Sequence, residues 1–133
     1  MINWLETSVL LLVLRVLLYI QLVVGLFRYA ARYGLPDLGH IFDIHVLIGV
    51  IVAILAIIAL GSVPGIPNTG IRITARFFPL LPLLLGFGFL ANVVPTHYFV
   101  ILHMILGIAT IGLVEAASAQ QRRSQRRRRS FAG

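Results

Sequence analysis

Two histidines stand in otherwise aliphatic stretches and share a local pattern: His45-Val46-Leu47-Ile48-Gly49 and His103-Met104-Ile105-Leu106-Gly107. In a helix, the residue four places on lies on the same face, so each imidazole has a glycine directly beside it along its own helix. Two neutral imidazoles facing one another across a helical core can supply the fifth and sixth ligands of a single haem iron. Gly49 and Gly107 would then clear space for the edge of a flat macrocycle. Ala53, Ala56 and Thr110 extend the two small-residue faces in the same sense. The competing reading is structural, because small residues at four-residue spacing are also how membrane helices approach closely without any cofactor.

Other polar residues within apolar surroundings are few, and each is costly enough to need a reason. Arg15 falls about eight residues into the first apolar block and Glu115 near the end of the last. Side chains lean toward the N-terminus of their helix, so on antiparallel helices these two lean toward each other. An Arg15–Glu115 ion pair tying the first and last blocks together is expected. Gln21 lies near the histidine level and is a candidate donor to an imidazole or a haem edge. Asp43 precedes His45 by two residues and can cap a turn or meet Arg28 or Arg32.

His40 and His97 lie five and six residues before the inner histidines. That spacing turns them about 140° and 120° away and separates them by no more than about 9 Å of rise. A second haem does not fit such spacing. His40 and His97 read instead as interface residues, a propionate contact or an outer-side quinone contact.

Composition sets the solvent these residues expect. Of 133 residues, 59% are hydrophobic and 11% charged, and the mean hydropathy is +1.00. Soluble domains are about one quarter charged, so this chain is too apolar to cover its own surface in water. With no cysteine, disulfide scaffolds, thiolate metal sites and cysteine nucleophiles are excluded together. There is no Gly-rich phosphate loop, no HExxH and no serine–histidine–acid set at one depth. Four acidic residues are too few for a proton pathway with several relays.

A spanning helix needs about 20 mainly apolar residues, and four blocks qualify, at about 7–27, 38–60, 75–94 and 97–119. Gly34-Leu35-Pro36-Asp37 breaks the first connector, and Pro64, Gly65, Pro67, Asn68 and Gly70 mark the second, spanning about 61–73. Pro79 and Pro82 should bend or break the first turns of the third block. Pro95-Thr96 makes the last turn, with Thr96 as N-cap. The expected fold is all-α: a polytopic membrane four-helix bundle, antiparallel up-down-up-down, over residues 1–119, followed by an Arg-rich tail at 120–133.

The formal charge is +7, and all 11 basic residues are arginine. Eight of them (Arg72, Arg76 and the six between Arg122 and Arg129) fall on one predicted side, against Arg28 and Arg32 on the other. The bias places both termini in the cytoplasm, in a membrane of bacterial inner-membrane type. The segment before the first block has no basic residue, and no small-residue cleavage pattern follows it, which argues against a signal peptide. An arginine run can bind nucleic acid or anionic lipid; on a chain of this kind the expected role is a topology anchor, with lipid and not nucleic acid as its neighbour. Trp4, Tyr19, Tyr29, Tyr33 and Tyr98 include the expected interface anchors.

With these two His-x3-Gly motifs on its second and fourth blocks, the chain resembles small four-helix membrane b-type cytochromes, the cytochrome b561-like proteins and a single half of the haem A synthase family. The resemblance implies one haem b held between helices by His45 and His103 as axial ligands. It also implies electron transfer near the outer leaflet, with other membrane subunits of an electron-transfer complex as partners and quinone as a further candidate. Two departures matter. The second haem pair of the b561-like proteins is missing, and Asp43 is a poor substitute for the outer acidic residue of the synthases, so synthase activity is not expected. With both axial sites filled, no catalysis of its own is expected. The rival is a cofactor-free accessory subunit of a respiratory or photosynthetic complex. A third reading uses one histidine to ligate a chlorophyll-type magnesium.

Overall fold

Away from water, a backbone amide must find its partner within the chain, and a helix satisfies it locally. The aliphatic blocks accordingly form helices in the computed structural model, which describes residues 4–31, 33–34, 41–62 and 67–131. In order they are α1 (Trp4–Ala31), α2 (Ile41–Ala59), α3 (Gly70–Phe77), α4 (Leu80–Leu90) and α5 (Thr96–Phe131). Among the described residues there is no strand. Three stretches are long and apolar enough to cross a membrane: Glu6–Ala31, Gly70–Leu90 (which takes in both α3 and α4) and Tyr98–Arg127. The 19 residues of α2 are shorter; they reach about 28 Å at the helical rise.

Two boundaries differ from those the sequence suggests. The third helical stretch begins at Gly70, not near residue 75, because Thr69 caps it: its hydroxyl accepts from the Arg72 amide at 3.3 Å. Arg72 and Arg76 therefore lie on α3 and not in a connector. The break then comes at Phe78–Pro79, between α3 and α4, where proline has no amide hydrogen to continue the ladder. The second difference is at the end of the chain. The arginine segment is not a separate tail but the last turns of α5, which runs unbroken to Phe131. Arginine and glutamine are good helix formers, and neither proline nor glycine interrupts the segment.

Between α4 and α5, Asn92 takes a left-handed φ of 54°, a conformation asparagine tolerates better than most residues. Its amide donates to the Phe89 carbonyl at 3.2 Å, and the Val93 amide to Gly88 at 3.0 Å. These bonds close the orphan carbonyls at the end of α4.

The packing divides the molecule along the helix axes. Leu11, Leu14 and Leu18 of α1 meet Val52, Ala56, Ala59 and Leu60 at the C-terminal end of α2, with Ala75 of α3 and Val114 and Ala117 of α5. Alanines there let the backbones approach closely. Ala53 and Ala56 are 3% and 0% exposed; they serve this close packing, not the ligand-facing stripe expected from the sequence. Arg72, 4% exposed, joins the same half: its Nε donates to the Leu60 carbonyl at 3.1 Å and its Nη2 to that of Gly61. A guanidinium thus satisfies the open carbonyls at the end of α2, where the helix dipole favours a cation. The other half, toward the C-terminal end of α1 and the start of α5, is hollow.

Candidate functional site

The hollow half holds a cavity of about 420 Å³ between α1, α2, α4 and α5. Its walls are mainly Leu, Val, Phe and Gly, and both motif histidines line it. His45 comes from the second turn of α2 and His103 from the second turn of α5. Their ring centroids are 6.1 Å apart, with the planes inclined at 60°. In each ring Nδ1 is buried and has no hydrogen-bond partner. A buried polar atom without a partner is costly and rare in a settled structure.

Each imidazole stands against bare backbone of a helix not its own. A Cβ on Gly25 of α1 would come within 3.1 Å of His45 Cε1, and one on Gly86 of α4 within 3.4 Å of His103 Cε1. Phe89 of α4 meets the His103 ring at 5.6 Å between centroids, inclined at 61°. Neither Gly25, Gly86 nor Phe89 stands out by type in the sequence. Gly25 had a signal: it follows Gln21 by four residues, repeating the polar-x3-Gly pattern of the histidines. For Gly86 and Phe89 the pairing depends on how α4 is rotated after the Pro79 break, which no local pattern shows.

The glycines of the motifs behave differently from one another. Gly107 faces open space and lines the cavity. Gly49 also lines the cavity, and a Cβ there would stand 3.1 Å from the Gln21 amide nitrogen and 3.5 Å from Leu83. That amide donates to the His45 carbonyl at 2.9 Å. Gln21 is therefore bonded to the histidine's backbone and not to its ring. The reason is steric: a side chain at position 49 would cover that carbonyl. Thr110 turns back on its own helix, its hydroxyl donating to the Leu106 carbonyl at 2.8 Å, while still bordering the cavity.

Below the cavity along α5, Arg15 Nε and Glu115 Oε1 meet at 2.6 Å. The Tyr19 hydroxyl adds a longer bond to the same oxygen, 3.4 Å. This pair fastens α1 to α5 between the hollow half and the basic end. His40 lies outside the described residues, as do the side chains of Asp43 and His97. Among the described residues no group of three or more His, Cys, Asp or Glu side chains comes together. What the site can offer a metal is its pair of imidazoles.

A family model, DUF1516, described as a protein of unknown function, matches residues 40–132. The chain belongs to this family. The match takes in α2 through α5, and so His45, Gly86, Phe89 and His103. It leaves α1 outside, with Arg15, Gln21 and Gly25. In DUF1516 terms, the cavity is built from family elements on three sides and closed on the fourth by a helix beyond the matched region. No curated protein and no solved structure matches the chain.

Proposed function

We propose that this protein is a membrane b-type cytochrome subunit that holds one haem between His45 and His103. The observation that carries the reading is the separation of the two rings. Metal–imidazole bonds of about 2.0 Å on either side of one ion, with the ring radii added, put the centroids about 6.3 Å apart. The distance found is 6.1 Å. The unpartnered Nδ1 atoms and the glycines at 25, 86 and 107 support the same reading.

In this proposal the helices form an antiparallel four-span bundle, α3 and α4 together making one broken span, with both termini on the cytoplasmic side. The membrane is of bacterial inner-membrane type. His45 and His103 then lie in its outer half. A bound haem supplies one-electron transfer at that level. The chain's own residues do the rest. His45 and His103 would hold the haem iron, and the haem would supply electron transfer and not activation of a substrate. Gln21 fixes the backbone of the turn that carries His45. The aliphatic walls and Phe89 exclude water. Gly25 and Gly86 set how close each ring comes to its neighbouring helix. The partners of such a subunit are other membrane subunits of an electron-transfer complex, with quinone as its mobile carrier.

The test is a reduced-minus-oxidised spectrum of the purified full chain, followed by a pyridine haemochrome assay. A Soret band that disappears in His45→Ala/His103→Ala is expected. A colourless chain co-purifying with larger subunits would replace the proposal with a cofactor-free accessory role, and a magnesium pigment without haemochrome would replace the cofactor.

A further inference from the structure

The other end of the molecule contains a second cavity, of about 450 Å³, between the start of α3 and the last turns of α5. Its lining is unlike that of the first. It includes Arg72, Gln121, Arg123, Arg126 and Arg127, with Thr69 at the α3 cap. We propose that it is a binding site for a phosphate group, carried by an anionic lipid headgroup at the membrane face or by free phosphate.

Gln121 is the observation that points to a ligand. It is 2% exposed and lines the cavity, yet both its amide oxygen and its amide nitrogen lack any partner. An amide so deeply buried needs something to donate to and accept from. The neighbouring glutamine shows the contrast: Gln120 Oε1 accepts from the Thr69 hydroxyl at 2.8 Å, which fixes α5 against the start of α3.

Helical spacing does the rest. Ala117, Gln121, Ser124 and Arg127 follow one another at three and four residues on α5 and share a face, while Arg123 and Arg126 flank it. No acidic side chain lines the cavity. The nearest acid along α5, Glu115, is held by Arg15. Arg72 is taken up by the carbonyls of Leu60 and Gly61; the guanidiniums of Arg123, Arg126 and Arg127 have no carboxylate among the lining residues, and their planar forks match phosphate oxygens two at a time. No aromatic side chain lines the cavity, so it lacks the stacking platforms of a nucleic-acid strand site. The 36 residues of α5 are about 54 Å long, well beyond the apolar thickness of about 30 Å of a bilayer. Its last turns therefore stand at headgroup level when the apolar part spans.

The full chain in neutral detergent is titrated calorimetrically with inorganic phosphate and, separately, with phosphatidylglycerol in mixed micelles, with phosphatidylcholine as the control lipid. Saturable one-site binding of either anionic probe is expected: phosphatidylglycerol alone identifies the headgroup as the source, and competition by inorganic phosphate identifies the free anion. Arg123→Gln, Arg127→Gln and Gln121→Leu should each weaken binding about tenfold, as loss of a charge-assisted or buried contact does. Arg122→Gln, an equal charge change outside the cavity, should stay within about twofold. Circular dichroism checks that every variant keeps its helices. An equal loss in Arg122→Gln, no saturation with either probe, or tighter binding of a single-stranded oligonucleotide than of both would overturn the proposal in favour of diffuse charge.

Discussion

Two cavities among the described residues are nearly equal in size, about 420 Å³ and about 450 Å³, and differ in the residues that line them. The first is walled by aliphatic and aromatic side chains around two imidazoles. The second is walled by guanidiniums and amides, at the end where α5 outlasts the apolar span. Between them lie the alanine-rich packed core and the Arg15–Glu115 pair. A narrow helical chain can thus keep two unlike sites apart by placing its densest packing midway. The empty volume at each end then takes its character from the few residues that interrupt the aliphatic background.

If the cavities are independent, changes at one should leave the other untouched, since separated sites add. The largest expected effect is on the apolar site: His45→Ala/His103→Ala should purify without a Soret band while phosphate or phosphatidylglycerol binding at the basic end is unchanged. Loss of both together would break the comparison and indicate a single cooperative unit.

Next in size is the divider itself. Arg15→Ala and Glu115→Ala should each cost about 2 kcal/mol, as loss of a charge-assisted hydrogen bond does in a part-buried pair. The double variant should cost clearly less than the sum, read from thermal unfolding in detergent. Strict additivity would show that the contact contributes nothing as a pair.

A smaller effect is expected at Gly25. The added carbon of Gly25→Ala must push the His45 ring by a few tenths of an ångström, at about 1–2 kcal/mol for such overpacking. Haem occupancy should fall while the basic site keeps its affinity. Gln21→Leu should have the smallest effect, about 1 kcal/mol for one hydrogen bond to a backbone carbonyl, with the absorption maximum preserved. A band lost in Gln21→Leu would mean that the amide contacts the cofactor and not merely the α2 backbone.

The helical character of the blocks was legible in the chain because apolar composition and turn residues are local. So was the reach of Arg15 toward Glu115, since lean and direction follow from helix geometry. The His-x3-Gly repeat singled out the two residues that share the apolar cavity. Less legible were the residues set by contact. Arg72 reads as a loop charge, and only the open carbonyls of Leu60 and Gly61 beside it explain why it is buried. Ala53 and Ala56 read as a ligand face and instead pack helix on helix. Gly49 reads as an opening and does line the cavity, with the Gln21 amide beside it. Gln121 reads as one more polar residue of a solvated tail; its burial follows from α3 docking against the last turns of α5.

What the amino-acid sequence determined alone is where the chain forms helices, which stretches prefer hydrocarbon to water, and which rare polar side chains fall at which level. Those properties depend on neighbours a few residues apart. What only the tertiary structure decided is which face of each helix meets which, and hence that imidazoles from α2 and α5 share one cavity while a buried amide and several guanidiniums share another. Rotation about a helix axis changes none of the local backbone energetics. It is selected by the packing of side chains that are distant in sequence, and there the small residues at 25, 53, 56 and 86 determine how near the helices can come.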